Sequence, residues 1–284
     1  MPLVPNVMQA PYPETFYAKQ QDGSISSAQV VVPIVLSLFQ CHSVVDVGCG
    51  VGGWLKEFER HGISDYLGVD GDYVSRQLLK IPADRFMPLD LHNVIGLGRR
   101  FDLACSLEVA EHLPRIRAES FVVDLVKAAP VVLFSAAIPH QGGTHHVNLQ
   151  RQSFWAGLFA EHGYIDLDCV RPAIFGDSRV EWWYRQNIIV FCLPNHCPAG
   201  CTAVVNPYYL DRVDLEMVDH ITRGPPWGAG GGGKAPTKFF DVGKGDSLQD
   251  SGAILFLTTS LTTDVLKSTC RVDAGSHLTR AGHK

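Results

Sequence analysis

The sequence predicts an α/β fold: a mostly parallel sheet covered by helices on both faces. Three observations predict it. Between residues 43 and 192, short apolar runs alternate with amphipathic ones, the rhythm of strand–helix–strand units. Two of these runs end on an acidic residue and one on a glycine cluster, as strands do where they pass into ligand-binding loops at the carboxyl edge of such a sheet. Hydrophobic residues make up 46% of the 284 residues, enough for a sizeable core.

Taken in order, residues 1–25 are rich in Pro and Gln and read as a surface segment. Residues 27–40 read as a helix, in which Pro33 either marks a kink or a late start. Strands are expected over 43–47, 66–70, 85–89, 101–107, 131–135, 165–170 and 187–192. Helices are expected over 52–61, 73–79, 115–128 and 153–162. One folded domain is therefore expected over 26–222. From about residue 223 the composition changes: 224–234 reads GPPWGAGGGGK, a Gly-rich linker. The tail to 284 is rich in Ser, Thr, Gly and Asp and reads as disordered, or as a weak appendage around the apolar run 253–257.

The formal net charge of −5 argues against a protein that grips a nucleic-acid backbone by general electrostatics. No run of 18 apolar residues appears, and the N-terminus has no basic stretch followed by an apolar one. The expectation is a soluble, cytoplasmic protein. Cys41, Cys49 and Cys105 lie in or beside apolar runs, a pattern that suits buried reduced thiols better than a disulfide framework. Two weaker patterns are set aside. Gly228-x4-Gly233-Lys234 lacks the Ser or Thr of a phosphate loop, since Ala235 follows, and no strand precedes it. Cys192, His196, Cys197 and Cys201 lack the paired spacing of a zinc knuckle.

The most informative segment is Val44-Val45-Asp46-Val47-Gly48-Cys49-Gly50-Val51-Gly52. Here an apolar strand meets glycines that permit a sharp turn and close backbone approach to a ligand. A second strand ends at Asp70, about 20 residues on, the spacing at which a carboxylate meets ribose hydroxyls in a dinucleotide fold. A third acid, Asp90, follows another short strand, within reach of an adenine amino group. A pyrophosphate cofactor would be repelled by Asp46 just before the glycines. A cationic amino-acid group would be attracted. This choice favours S-adenosylmethionine over a nicotinamide dinucleotide.

On these motifs residues 43–112 resemble the class I S-adenosylmethionine-dependent methyltransferases. The resemblance implies a Rossmann-like seven-stranded sheet with helices on both faces and its last strand, 187–192, antiparallel. It also implies a cofactor-binding set of Asp46, Gly48, Cys49, Gly50, Gly52, Asp70, Asp90, Leu91 and Ser106.

Beyond the strand at 101–107 come Glu108, Glu111 and His112, spaced to share a face on one helical turn. Two carboxylates and an imidazole together suit a divalent cation. The acids could instead shape the pocket, or sit as solvated first-turn residues. After 131–135 a polar loop carries His145 and His146, either exposed loop histidines or a fourth ligand or base. The Glu-x-x-Glu-His pattern with a later His resembles the small-RNA 2′-O-methyltransferases and the ubiquinone-pathway O-methyltransferases. That resemblance implies Mg2+ or a similar ion held by Glu108, Glu111, His112 and His146, with Glu111, His112 and His146 as catalytic candidates. The segments Phe134–Pro139, Gln141–Gly143, His146–Asn148 and Trp183–Asn187 resemble bacterial methyltransferases linked to glycan or natural-product pathways, in which the last segment is a strand. Leu149 and Arg151 depart from that pattern. Trp182, Trp183 and Tyr184 could wall a substrate pocket or simply pack. Three readings remain: O-methylation of a sugar, glycan or secondary metabolite; 2′-O-methylation of RNA, disfavoured by the acidic charge; and cofactor binding without catalysis.

Overall fold

The structure, a computed structural model, describes residues 14–199, with side chains from 23 onward. The tail over 223–284, the segment 1–13 and Cys201 lie outside the described residues. A seven-stranded sheet has the order β3-β2-β1-β4-β5-β7-β6. The strands are β1 (Ser43–Val47), β2 (Asp65–Asp70), β3 (Phe86–Pro88), β4 (Leu103–Leu107), β5 (Val131–Ser135), β6 (Ile165–Leu167) and β7 (Ile189–Cys192). Neighbours from β3 to β5 run parallel, whereas β7 is antiparallel to both β5 and β6. Both the seven strands and the antiparallel last one agree with the sequence reading.

The core shows why the strands are apolar throughout. Val44, Leu103, Cys105, Val131, Leu133 and Val190 face one layer. Their chain neighbours Val45, Ala104, Val132, Phe134, Ile189 and Phe191 face the other. With the period of two a strand imposes, a sheet buried on both faces can afford no polar alternation. On the first face lie α1 (Glu14–Leu38), α2 (Gly53–Arg60), α5 (Arg171–Ile174) and α6 (Trp182–Asn187), contributing Val31, Val35, Leu55, Phe58, Ile174 and Tyr184. On the second lie α3 (Ala118–Ala128) and α4 (Gln152–Ala160), contributing Phe121, Leu125, Trp155 and Phe159.

Four expectations need correction. First, α1 starts at Glu14 rather than at residue 27 and continues through Pro33. Proline there removes one helical hydrogen bond, but Ala28, Val31, Val32 and Val35 are fully buried around it, and that packing holds the helix. Second, the helix expected over 73–79 is only a 3-10 turn over Arg76–Leu78. Leu78 and Tyr73 are exposed and Val74 alone is buried among 73–79, so a helix there would have no apolar face to pack. Third, Trp183–Asn187 is not a strand but most of α6, which leads into β7. Fourth, Glu108, Glu111 and His112 do not share one α-helical turn. Glu108 has φ 56, and a 3-10 turn follows over Ala110–His112. Among the described residues no helix is long and apolar enough to cross a membrane.

Candidate active site

The sheet order reverses between β1 and β4: the chain builds outward through β2 and β3, then crosses back to β4 and β5. Crevices form beyond the carboxyl ends of the strands at such a reversal, and most of the expected site residues converge there. Gly48, Gly50 and Gly52 all have positive φ. At Gly48 a side chain is excluded twice over: φ is 86, and a Cβ would lie 2.3 Å from the Val109 side chain. The turn thus packs directly against the loop after β4, joining the two halves of the crevice.

Asp46 and Asp70 are both buried at this edge. Burial, reinforced by the charge of Asp70, pushes the Asp46 carboxyl up to about 8. Asp70 Oδ2 accepts from the Gly50 N–H at 2.7 Å. Its Oδ1 accepts from the Gly71 N–H and the Tyr73 hydroxyl, each at 2.6 Å. Two adjacent carboxylates, one held neutral for want of a counter-charge, suit a ligand that brings a cation and a diol. Cys49 is buried, and burial pushes its thiol up, so it lines the turn as an inert group.

Asp90 lies two residues past β3, where it accepts from the His92 and Asn93 side chains and the His92 N–H. Leu91 beside it is buried. The loop is pinned from below by Arg117, which donates to the Leu91 and Asn93 carbonyls and pairs with Asp124. Ser106, in β4, is fully buried, and its hydroxyl has no hydrogen-bond partner among the described residues.

On the other side of the crevice, Glu111, His112 and His146 come together, with ligand-capable atoms all within 4.8 Å of one another. The loop that carries His146 is held by backbone bonds: Val147 and Asn148 N–H both donate to the Glu111 carbonyl, at 2.9 and 3.0 Å. The Asn148 amide donates to the Ala110 carbonyl. The His146 ring packs over Gly143, where a Cβ would lie 2.1 Å from it, and meets His112 edge-on with centroids 4.9 Å apart. Burial lowers both imidazoles, and the nearby His112 helps take His146 down to about 4. Neutral imidazoles are the form that binds metal. Among the described residues, both Glu111 oxygens and His146 Nδ1 are buried without hydrogen-bond partners, so the donor set fits a divalent cation.

Glu108 does not join this group. Its carboxylate accepts from the Asn187 and Gln141 side-chain amides, each at 3.0 Å, while its N–H donates to Ser135. Burial raises Glu108 and these amides oppose it. Burial, then the charge of Glu108, drives Glu111 up further, with no side-chain amide to oppose it. Glu108 is thereby the anchor that ties the ends of β4, β5 and α6 together. The roles of Gln141, Asn187 and Tyr73 were not legible in the sequence. Gln141 and Asn187 lie 33 and 79 residues from the acid they hold. The aromatic cluster at 182–184 belongs chiefly to the core: Tyr184 is buried and packs edge-on against Trp54.

Residues 16–120 match the family model described as a methyltransferase domain. The matched stretch carries the glycine turn, Asp46, Asp70 and Asp90. No curated protein sequence matches it. Among solved structures it is similar to DesVI of Streptomyces venezuelae at 16% identity and TM-score 0.47, over 63% of this chain and 96% of that one. It is also similar to the sugar N-methyltransferase KedS8 of Streptoalloteichus sp., at 16% identity and TM-score 0.49, over 68% and 98% of the two chains. A third is the plantazolicin methyltransferase BpumL, at 13% identity and TM-score 0.44, over 62% and 87%.

Proposed function

We propose that this chain is an S-adenosylmethionine-dependent methyltransferase acting on a hydroxyl oxygen of a sugar, glycan or secondary metabolite, assisted by a divalent cation such as Mg2+ at Glu111, His112 and His146. The observation that carries the reading is the convergence of these three side chains, with the Glu111 oxygens and His146 Nδ1 buried and unpartnered among the described residues. S-adenosylmethionine, when bound, supplies an electrophilic methyl group on a sulfonium.

The chain's residues do the rest. Asp46 would accept the ammonium of the cofactor's amino-acid end and Asp70 its ribose hydroxyls. The glycine turn Gly48–Gly52, with Cys49, would admit it closely. Asp90 and Leu91 would border the adenine, and Ser106 would line the floor. Methyl transfer needs the acceptor oxygen in line with the methyl carbon and sulfur, so holding the acceptor supplies much of the rate. An alcohol must also lose its proton during attack. A cation held by Glu111, His112 and His146 would lower the hydroxyl pKa and orient it.

An RNA 2′-hydroxyl would offer the same chemistry, but the net charge of −5 gives an RNA backbone little general attraction. The test is methyl transfer to a panel of glycosides, sugar nucleotides, phenols and short RNAs, with and without chelator. Turnover on a hydroxylated small molecule that chelator abolishes and Mg2+ or Mn2+ restores supports the reading. Wild-type turnover that chelator leaves intact, or full activity in both His112→Ala and His146→Ala, overturns it.

A further inference from the structure

We infer that Tyr73 sets cofactor affinity by competing with the cofactor's ribose for Asp70. The inference rests on the reading of Asp70 as the ribose acceptor. An ionised carboxylate offers about four lone-pair sites, two per oxygen. Three at Asp70 are taken: Gly50 N–H on Oδ2, and Gly71 N–H with the Tyr73 hydroxyl on Oδ1. One site remains, on Oδ2.

A ribose cis-diol has two hydroxyls to donate. Seating both on Asp70 requires one present donor to leave. Gly50 lies in the glycine turn and Gly71 follows β2 directly, so neither N–H can withdraw without unravelling the crevice. Tyr73 is the donor that can move: it is 73% exposed and lies in the irregular segment before the 3-10 turn at Arg76–Leu78. Its ring lies across Gly71, where a Cβ would stand 2.0 Å from a ring carbon. The absence of a side chain at Gly71 is what lets the ring reach back to the acid. Asp70 is thus capped by the chain's own tyrosine, and binding breaks this hydrogen bond before it makes its own.

The test is calorimetric titration of the full chain with S-adenosylhomocysteine. Tyr73→Phe keeps the ring and removes the donor, and its Kd should fall about fivefold, the worth of one exposed hydrogen bond. Gly71→Ala, which pushes the ring and its hydroxyl off the acid without removing the hydroxyl from the chain, should tighten binding likewise. With 2′-deoxy-S-adenosylhomocysteine the single hydroxyl fits the remaining site, so the gain in Tyr73→Phe should vanish. Unchanged or weaker binding of S-adenosylhomocysteine by Tyr73→Phe overturns the inference, and so does an equal gain with the deoxy ligand. Asp70→Ala separates the two layers. Loss of binding there upholds the ribose reading whatever Tyr73 does, whereas wild-type binding removes both.

Discussion

On the proposed assignment of Asp46 to the cofactor's ammonium, cofactor binding should release a proton. Burial, then the charge of Asp70, pushes the Asp46 carboxyl up to about 8, so below that pH its neutral form predominates. A neutral acid does not attract an ammonium, and binding must ionise it first. Between pH 5.5 and 7.5 the ionised fraction changes about tenfold per pH unit, and the ligand's own ammonium, with an α-amino pKa of about 7.7–8.0, stays mostly charged. The Kd for S-adenosylhomocysteine should therefore fall about a hundredfold over those two units, or about 2.7 kcal/mol. About one proton should be released per ligand bound, readable by calorimetry in two buffers of different ionisation enthalpy. 5′-Methylthioadenosine keeps the adenine and ribose but lacks the amino-acid end, so its affinity should be flat with pH. A flat profile for S-adenosylhomocysteine, or the same slope for both ligands, would refute the assignment of Asp46 to the ammonium.

The same shift bears on folding. Because the folded pKa lies above the unfolded value of 3.8, the favourable contribution is complete below about pH 4 and is lost as pH rises through about 8. Asp46→Asn should accordingly raise the melting temperature at pH 8.5 more than at pH 5. Asn187→Ala removes one of the amides that hold the buried Glu108 carboxylate and should cost about 2–3 kcal/mol in denaturant unfolding. Glu108→Gln should recover part of that loss when combined with it. Arg117→Ala leaves Asp124 buried without its partner, a change worth about 3–5 kcal/mol. By freeing the Asp90–Asn93 loop it should also weaken cofactor binding in calorimetry.

The strands were legible because burial on both faces makes each an unbroken apolar run, and β1 and β5 match their expected bounds residue for residue. Asp46, Gly48 and Asp70 were legible because their positions are set by the strands they end. What failed was local structure decided by packing rather than pattern. Residues 73–79 have helix-compatible spacing but only Val74 to bury. Trp182–Asn187 has strand-like aromatics yet coils into α6 ahead of β7. The spacing of Glu108, Glu111 and His112 suggests one shared face, but the left-handed backbone at Glu108 turns its carboxylate to Gln141 and Asn187. His146, loosely matched in sequence, is delivered to His112 by backbone bonds onto the Glu111 carbonyl, which leave no trace in residue type.

A crystal of the full chain grown with S-adenosylhomocysteine and Mn2+, with anomalous data collected at the manganese edge, brings both sides of the crevice into one view. The expected result is the ligand's ammonium on Asp46 and its ribose on Asp70, with a single manganese peak bounded by Glu111, His112 and His146. An adenosyl group bound away from Asp46 and Asp70, or a ligand-loaded crystal with no anomalous peak at those three side chains, would contradict it.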